Sequence, residues 1–117
     1  MDKSILRDKS FSFALRAVRL SKYLQVEHKE YVLSKQILRS GTSIGALVRE
    51  AQYAQSKADF LHKLTIALKE ANETEYWLQL LFKSDYIGEK MFNSIYPDIQ
   101  ELLKLLVSST KTVKAYK

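Results

Sequence analysis

Asp59 and His62 stand three residues apart, a spacing that lets a carboxylate and an imidazole on one helix share a metal ion. A di-iron centre in a helical bundle needs two Glu-x-x-His pairs and a further glutamate from each of two other helices. The chain holds only two histidines, His28 and His62, and no second copy of the motif. His62 is therefore expected on the surface, and no metal or other cofactor is expected. The chain has no cysteine, which removes disulfides, thiolate metal sites and cysteine nucleophiles. Serine, histidine and aspartate are all present, but no nucleophile elbow frames any serine. Nothing resembles a Walker sequence or a GxGxxG following a strand. These residues point to a protein that is not an enzyme.

Two polar features need another explanation. Ser40, Ser43 and Glu50 form a strip on one flank of a helical segment, with Leu47 between them in angle. Glu75 projects from the middle of an apolar face, between Ala71 and Leu78. A buried carboxylate without partners costs several kcal/mol, so Glu75 should be hydrogen-bonded or ion-paired. The serines, Arg39, a lysine or a neighbouring subunit are its candidate partners. The expectation is a structural polar network of Ser40, Ser43, Glu50 and Glu75. Glu70 and Glu73, beside Lys63 and Lys69, read as ordinary helix-surface pairing.

The third chemical feature is basic charge. The net charge is +6, and all five arginines lie in the first 50 residues. That asymmetry suits a partner carrying phosphates, and Lys9, Arg16, Arg19, Arg39 and Arg49 are the candidate contacts to RNA or DNA backbone. A solvated basic surface is the alternative. Tyr76 and Trp77 have the chemistry to stack on bases, although packing is the commoner fate of such residues.

Helices must position these side chains. At 117 residues the chain has the size of a single domain, read as spanning 1–117. Three glycines and one proline leave little material for the turns of an all-β fold. Four helices are predicted, over about residues 10–28, 34–54, 56–83 and 89–113. Ser34 is expected to cap the second. Ser56 is expected to cap the third, with Asp59 completing a capping-box-like SKAD. Pro97 should kink or break the fourth. Short links make sequential helices antiparallel neighbours, so the fold class is all-α, an up-down-up-down four-helix bundle. No apolar run approaches the roughly 20 residues of a membrane span, and the first residues lack the apolar core of a signal peptide. A cytoplasmic location without membrane association is expected.

Helix 1 carries more apolar surface than one bundle face can bury. One arc holds Phe11, Ala14, Leu15 and Val18; a second, well rotated from it, holds Phe13, Ala17, Leu20 and Leu24. Either the helix inserts deeply within its own chain or one arc meets another subunit. Helix 2 holds Gly41 and Gly45 one turn apart, each costing roughly 0.5–1 kcal/mol relative to alanine. Two small residues four apart let another backbone approach closely. Gly41, Gly45, Phe13, Leu20 and Leu24 are thus candidates for a close helix crossing, within the bundle or between subunits. A kink at the glycines is the alternative.

The stretch ILRSGTSIGALVREAQYAQSKADFLHKLTIALKEANETEYWLQLL resembles the small bacterial four-helix-bundle proteins encoded in intervening sequences of large-subunit ribosomal RNA genes. The family pairs a Ser-x-x-Ser-Ile-x-x-Asn-x-x-Glu helix, read here as Ser40, Ser43, Ile44 and Glu50, with a second helix. That second pattern is read as Asp59, Phe60, Leu64, Ile66, Ala67, Glu73, Glu75 and Leu78. Leu47 stands where the family usually has Asn, so any hydrogen bond made by that Asn is absent. The family is similar to accessory proteins of diversity-generating retroelements, which bind nucleic acid and a reverse transcriptase. The resemblance implies a ring-shaped homopentamer with a basic surface and no established catalytic activity. A homo-oligomer that binds nucleic acid is the resulting expectation. A structural scaffold with a protein partner is the alternative.

Overall fold

The structure, a computed structural model, describes the backbone of residues 3–115 and the side chains of residues 5–114. The single-domain reading also covers residues 1–2 and 116–117, which lie outside the described residues. Four helices follow one another: α1 (Lys3–His28), α2 (Leu33–Gln52), α3 (Lys57–Lys83) and α4 (Glu89–Ala115). Each packs on its neighbours in cyclic order, and the α1–α4 seam is the thinnest of the four. Leu6 at the start of α1, Ala51 at the end of α2, Phe60 at the start of α3 and Ser109 near the end of α4 meet at one end. That placement defines the up-down-up-down order of an all-α four-helix bundle. The long axis is 47 Å, which suits helices of 26–27 residues at about 1.5 Å per residue.

The core follows the apolar stripes. Ile37, Ile44, Val48 and Ala51 of α2, Leu64, Ala67, Ala71, Leu78 and Leu81 of α3, and Ile95, Ile99, Leu102 and Leu106 of α4 are buried. Helix α1 gives one of its two arcs to this core: Phe13, Ala17, Leu20 and Leu24 are buried within the chain. The other arc stays outside, with Phe11 54% and Leu15 43% exposed. Deep insertion therefore accounts for half of the surplus apolar surface of α1.

The glycines pack against α1 of the same chain. A Cβ on Gly41 would lie 2.7 Å from Ala17 Cβ and 3.5 Å from the Phe13 ring. A Cβ on Gly45 would lie 3.2 Å from the Ser10 carbonyl oxygen. Gly41, Gly45, Phe13, Leu20 and Leu24 thus take part in the close packing of α1 within the bundle.

Two boundaries differ from expectation. Helix α1 begins near Lys3, not residue 10, because Leu6 buries its side chain at the bundle end. Ser34 does not cap α2. Val32 is the boundary residue, and the Glu30 carboxylate accepts from the backbone N–H groups of Val32 (3.3 Å) and Ser34 (2.8 Å). Helix α4 contains Pro97, as its expected range does, and is not broken there. Pro97 and Asn93, whose carbonyl loses its helical donor, are both exposed, so water can serve that carbonyl. Ser56 caps α3 as expected, its Oγ accepting from Asp59 N at 3.0 Å. Two turns end in left-handed residues that are not glycine, Lys29 (φ 51°) and Asp85 (φ 67°).

Candidate nucleic-acid interface

Helices α1 and α4 face each other across a groove of about 480 Å³. Its floor is apolar: Leu20, Ile87 and Ile95 are buried and Met91 is half-buried. Its rim is basic, with Arg16 and Arg19 from α1 and Lys90 from α4. Among the described residues no carboxylate lines it. The amphipathic period explains the arrangement: residues 16, 19, 20 and 23 lie on one side of α1, three to four apart, and long cationic side chains reach outward from its edge.

The three cations are in different states. Arg16 is a strap between helices. Its Nη1 donates to the Ser94 carbonyl (2.9 Å) and to Asp98 Oδ2 (2.7 Å), and its Nη2 donates to Ser94 Oγ (2.7 Å). It holds α1 to the turn of α4 that contains Pro97. Arg19 and Lys90 are exposed and make no ion pair with any described residue. An unpaired guanidinium beside an ammonium is suited to phosphate oxygens, the first as a two-pronged donor and the second as a point charge. Tyr23 closes one end of the groove, and His28 makes edge contacts with Tyr23 and Tyr86.

The remaining expected cations lie elsewhere. Lys9 pairs with Glu101 at 3.1 Å. Arg39 lies on the α2–α3 side, donating to Glu70 Oε1 at 3.2 Å and to Glu73 Oε2. Arg49 is exposed beside the α1–α2 groove, near Arg7 and Phe11. Lys9, Arg16 and Arg19 share the α4 side of α1, whereas Arg39 and Arg49 face other directions. The five do not form one continuous surface on a protomer. Lys90 completes the groove, and the sequence offered no signal for it, since only folding brings it beside Arg19.

The polar network also differs in membership. Ser40 and Ser43 belong to it. Thr74 Oγ1, fully buried, donates within reach of Ser40 Oγ (3.0 Å) and the Glu70 carbonyl (2.8 Å). Ser40 Oγ donates to the Gln36 carbonyl at 3.0 Å. Ser43 Oγ lies 3.1 Å from Glu70 Oε1, which also accepts from Arg39. Glu73 accepts from Arg39 and from Trp77 Nε1. Glu70 and Glu73 thus both reach Arg39 across helices, and Glu73 also accepts along its own helix from Trp77. Glu50 stands apart, paired with Lys63 at 3.2 Å. Glu75 does not reach the serines. It turns toward α4, where it accepts from the Tyr96 hydroxyl at 2.8 Å, and Gln79 Nε2 donates to that same hydroxyl. Burial, followed by the hydrogen bond to Glu75, raises the Tyr96 pKa above its ordinary value. The misplacement is one residue: Thr74 continues the core stripe of Ala67 and Ala71 toward Leu78, a heptad signal that the sequence contained.

His62 is exposed, and the Asp59 carboxylate accepts from the Gln55 backbone N–H at 3.3 Å instead of pairing with it. Among the described residues no group of three potential ligands is placed to hold a metal ion. No helix among them is long and apolar enough to cross a membrane.

Comparison with known proteins gives the context. The family model described as 23S rRNA-intervening sequence protein matches residues 2–108. A solved structure, described as a protein with unknown function from the S23 ribosomal protein family of Bacteroides thetaiotaomicron VPI-5482, is 58% identical to this chain. The similarity covers 95% of this chain and 99% of that one, with a TM-score of 0.92. No curated protein matches. A match over nearly the whole chain, carried by the same four-helix architecture, shows that this protein belongs to the 23S rRNA-intervening sequence protein family.

Proposed function

We propose that this protein is a non-enzymatic homo-oligomer, pentameric as its resemblance implies, that binds nucleic-acid backbone through the α1–α4 grooves of its protomers. One observation carries the reading: among the described residues Arg19 and Lys90 flank a groove that no carboxylate lines, and neither is paired with an acid. The formal charge of +6 adds a long-range attraction to phosphates. Repetition of the groove around an assembly would convert two free cations per protomer into a multivalent contact. The outer arc of α1 supports assembly, because Phe11 and Leu15 form an exposed apolar step one turn apart. The names of the family and of its solved relative make RNA the first nucleic acid to test.

A scaffold that binds a protein is the second reading, favoured by the apolar floor of Leu20, Ile87, Met91 and Ile95 in the same groove. Native mass spectrometry of protein purified with and without nuclease treatment separates the two. The proposal expects an oligomer of 13.6-kDa subunits, carrying nuclease-sensitive mass in the untreated sample. A monomer at micromolar concentration contradicts the assembly. An oligomer free of nucleic acid, holding a protein partner after nuclease treatment, favours the scaffold.

A further inference from the structure

The seam between α3 and α4 holds an aromatic groove of about 590 Å³. Four rings line it, Tyr76 and Phe82 from α3 and Phe92 and Tyr96 from α4. Phe82 and Phe92 stack with centroids 4.3 Å apart and planes at 13°, and Phe92 and Tyr96 with centroids 4.6 Å apart and planes at 26°. These three rings form a ladder across the seam. Tyr76 is 55% exposed. An aromatic ring left half in water at the wall of a groove is available to a planar partner. Lys83 lines the same groove, its ammonium 5.9 Å from the Phe82 centroid. Lys104 stands farther along the seam, in a neighbouring groove beside Asn72. Both lysines are exposed, and neither forms an ion pair with any described residue.

We infer that the α3–α4 groove takes an unpaired base of single-stranded nucleic acid, stacked on Tyr76, while Lys83 and Lys104 hold phosphates of the same strand. The inference rests on the nucleic-acid reading of the α1–α4 groove and adds a base-directed contact on the other side of α4. Charge decides where each part of the strand lies. Glu75 accepts from the Tyr96 hydroxyl, so a negative charge sits at the level of Tyr96, between the levels of the two lysines. A phosphate is repelled there and a neutral base is not. Gln79 Nε2 donates to the Tyr96 hydroxyl, and the amide carbonyl oxygen of Gln79 is of a type that accepts from a base N–H. From Phe92 to Lys104 α4 rises about 18 Å, so the lysines serve different phosphates of one strand. A duplex cannot use the groove in this way, because its bases are already paired and stacked.

Fluorescence anisotropy of the full chain with two labelled RNA probes tests it. The probes are a single-stranded oligouridylate of about twelve nucleotides and the duplex of that strand with oligoadenylate. Tyr76→Ala should weaken single-strand binding about fivefold or more, the loss of one stacked base, and leave duplex binding within about twofold. Tyr76→Phe keeps the ring and should bind as wild type does. Lys83→Glu should also weaken the single strand and spare the duplex, which gives a second readout on an exposed side chain. Arg19→Glu should weaken both probes, because it acts on the backbone contact. Single-strand affinity unchanged in Tyr76→Ala, or an equal loss for both probes, would overturn the inference and leave the backbone reading in place. Binding of neither probe by wild type would overturn both. A proline-rich peptide that binds wild type but not Tyr76→Ala, with single-strand affinity the same in the two proteins, would give the groove to a protein partner.

Discussion

Gly41 sits so close to Ala17 that a methyl group on the glycine would lie 2.7 Å from the alanine Cβ. Neither atom can rotate away, because each Cβ is fixed to its helix backbone. The absence of a side chain at Gly41 is therefore what sets the α1–α2 distance. Gly41→Ala gains up to about 1 kcal/mol of helix propensity and incurs about 1–3 kcal/mol of overpacking. The net expectation in urea denaturation is destabilisation of about 1–2 kcal/mol. Adding Ala17→Gly removes the colliding atom, so the two substitutions should be less than additive by about 1 kcal/mol. Additive losses would show that the contact does not limit the crossing.

Thr74 is a hydroxyl in a row of buried apolar residues, and its partners are Ser40 and the Glu70 carbonyl. Thr74→Val keeps the shape and deletes the hydrogen bonds. A loss of about 0.5–1.5 kcal/mol is expected, read by the urea midpoint at unchanged slope. Arg39→Ala should cost less, under about 1 kcal/mol, because that side chain is 54% exposed and its ion pairs are screened by solvent. A larger loss for Arg39→Ala would place the weight of the network at its surface end.

Tyr96 links Glu75 of α3 to α4, and its pKa lies above the ordinary tyrosine value because burial and the neighbouring carboxylate disfavour the phenolate. With the folded pKa above the unfolded one, the folded state holds its proton longer. The resulting stability is fully present below about pH 10 and is lost as pH rises through the folded value. Tyr96→Phe should remove this contribution. The expected result is a stability difference between wild type and variant that shrinks above pH 10, measured by denaturation at pH 8, 10 and 11. A difference that stays constant would show that Tyr96 titrates like an exposed tyrosine.

Phe11 and Leu15 are more than two-fifths exposed, so changing them should leave the fold intact. If they cover a subunit contact, Phe11→Lys combined with Leu15→Glu should shift sedimentation toward the monomer while the helical circular dichroism is unchanged. Retention of the full oligomer would move the interface off α1.

Much of the fold is readable from the sequence because apolar residues repeat at helical spacing in α2, α3 and α4. The capping of α3 is readable too, since Ser56 and Asp59 stand where the motif needs them. Helix α1 was ambiguous: its two apolar arcs are equivalent in sequence, and only packing against Gly41 and Gly45 selects the Phe13–Leu24 arc. Ser34 looked like a cap, but Glu30 reaches across the link and takes that role. Glu75 looked buried because one helical residue is a rotation of 100°, and Thr74 holds the inward position instead. The groove was half legible. Arg16 and Arg19 mark its α1 side, whereas Lys90 lies 71 residues beyond Arg19 and meets it only in the folded chain.

The most direct test of the account is the salt dependence of RNA binding by wild type and by Arg19→Glu/Lys90→Glu, measured by filter binding between 50 and 200 mM salt. Two phosphate contacts per groove give an affinity loss of about tenfold over that range, and more if several grooves engage together. The double variant should bind more weakly at low salt and show a slope shallower by about two for each engaged groove, with the same oligomeric state. Wild-type affinity that does not change with salt, or a double variant that binds as wild type does, would contradict the assignment of the α1–α4 groove to nucleic acid.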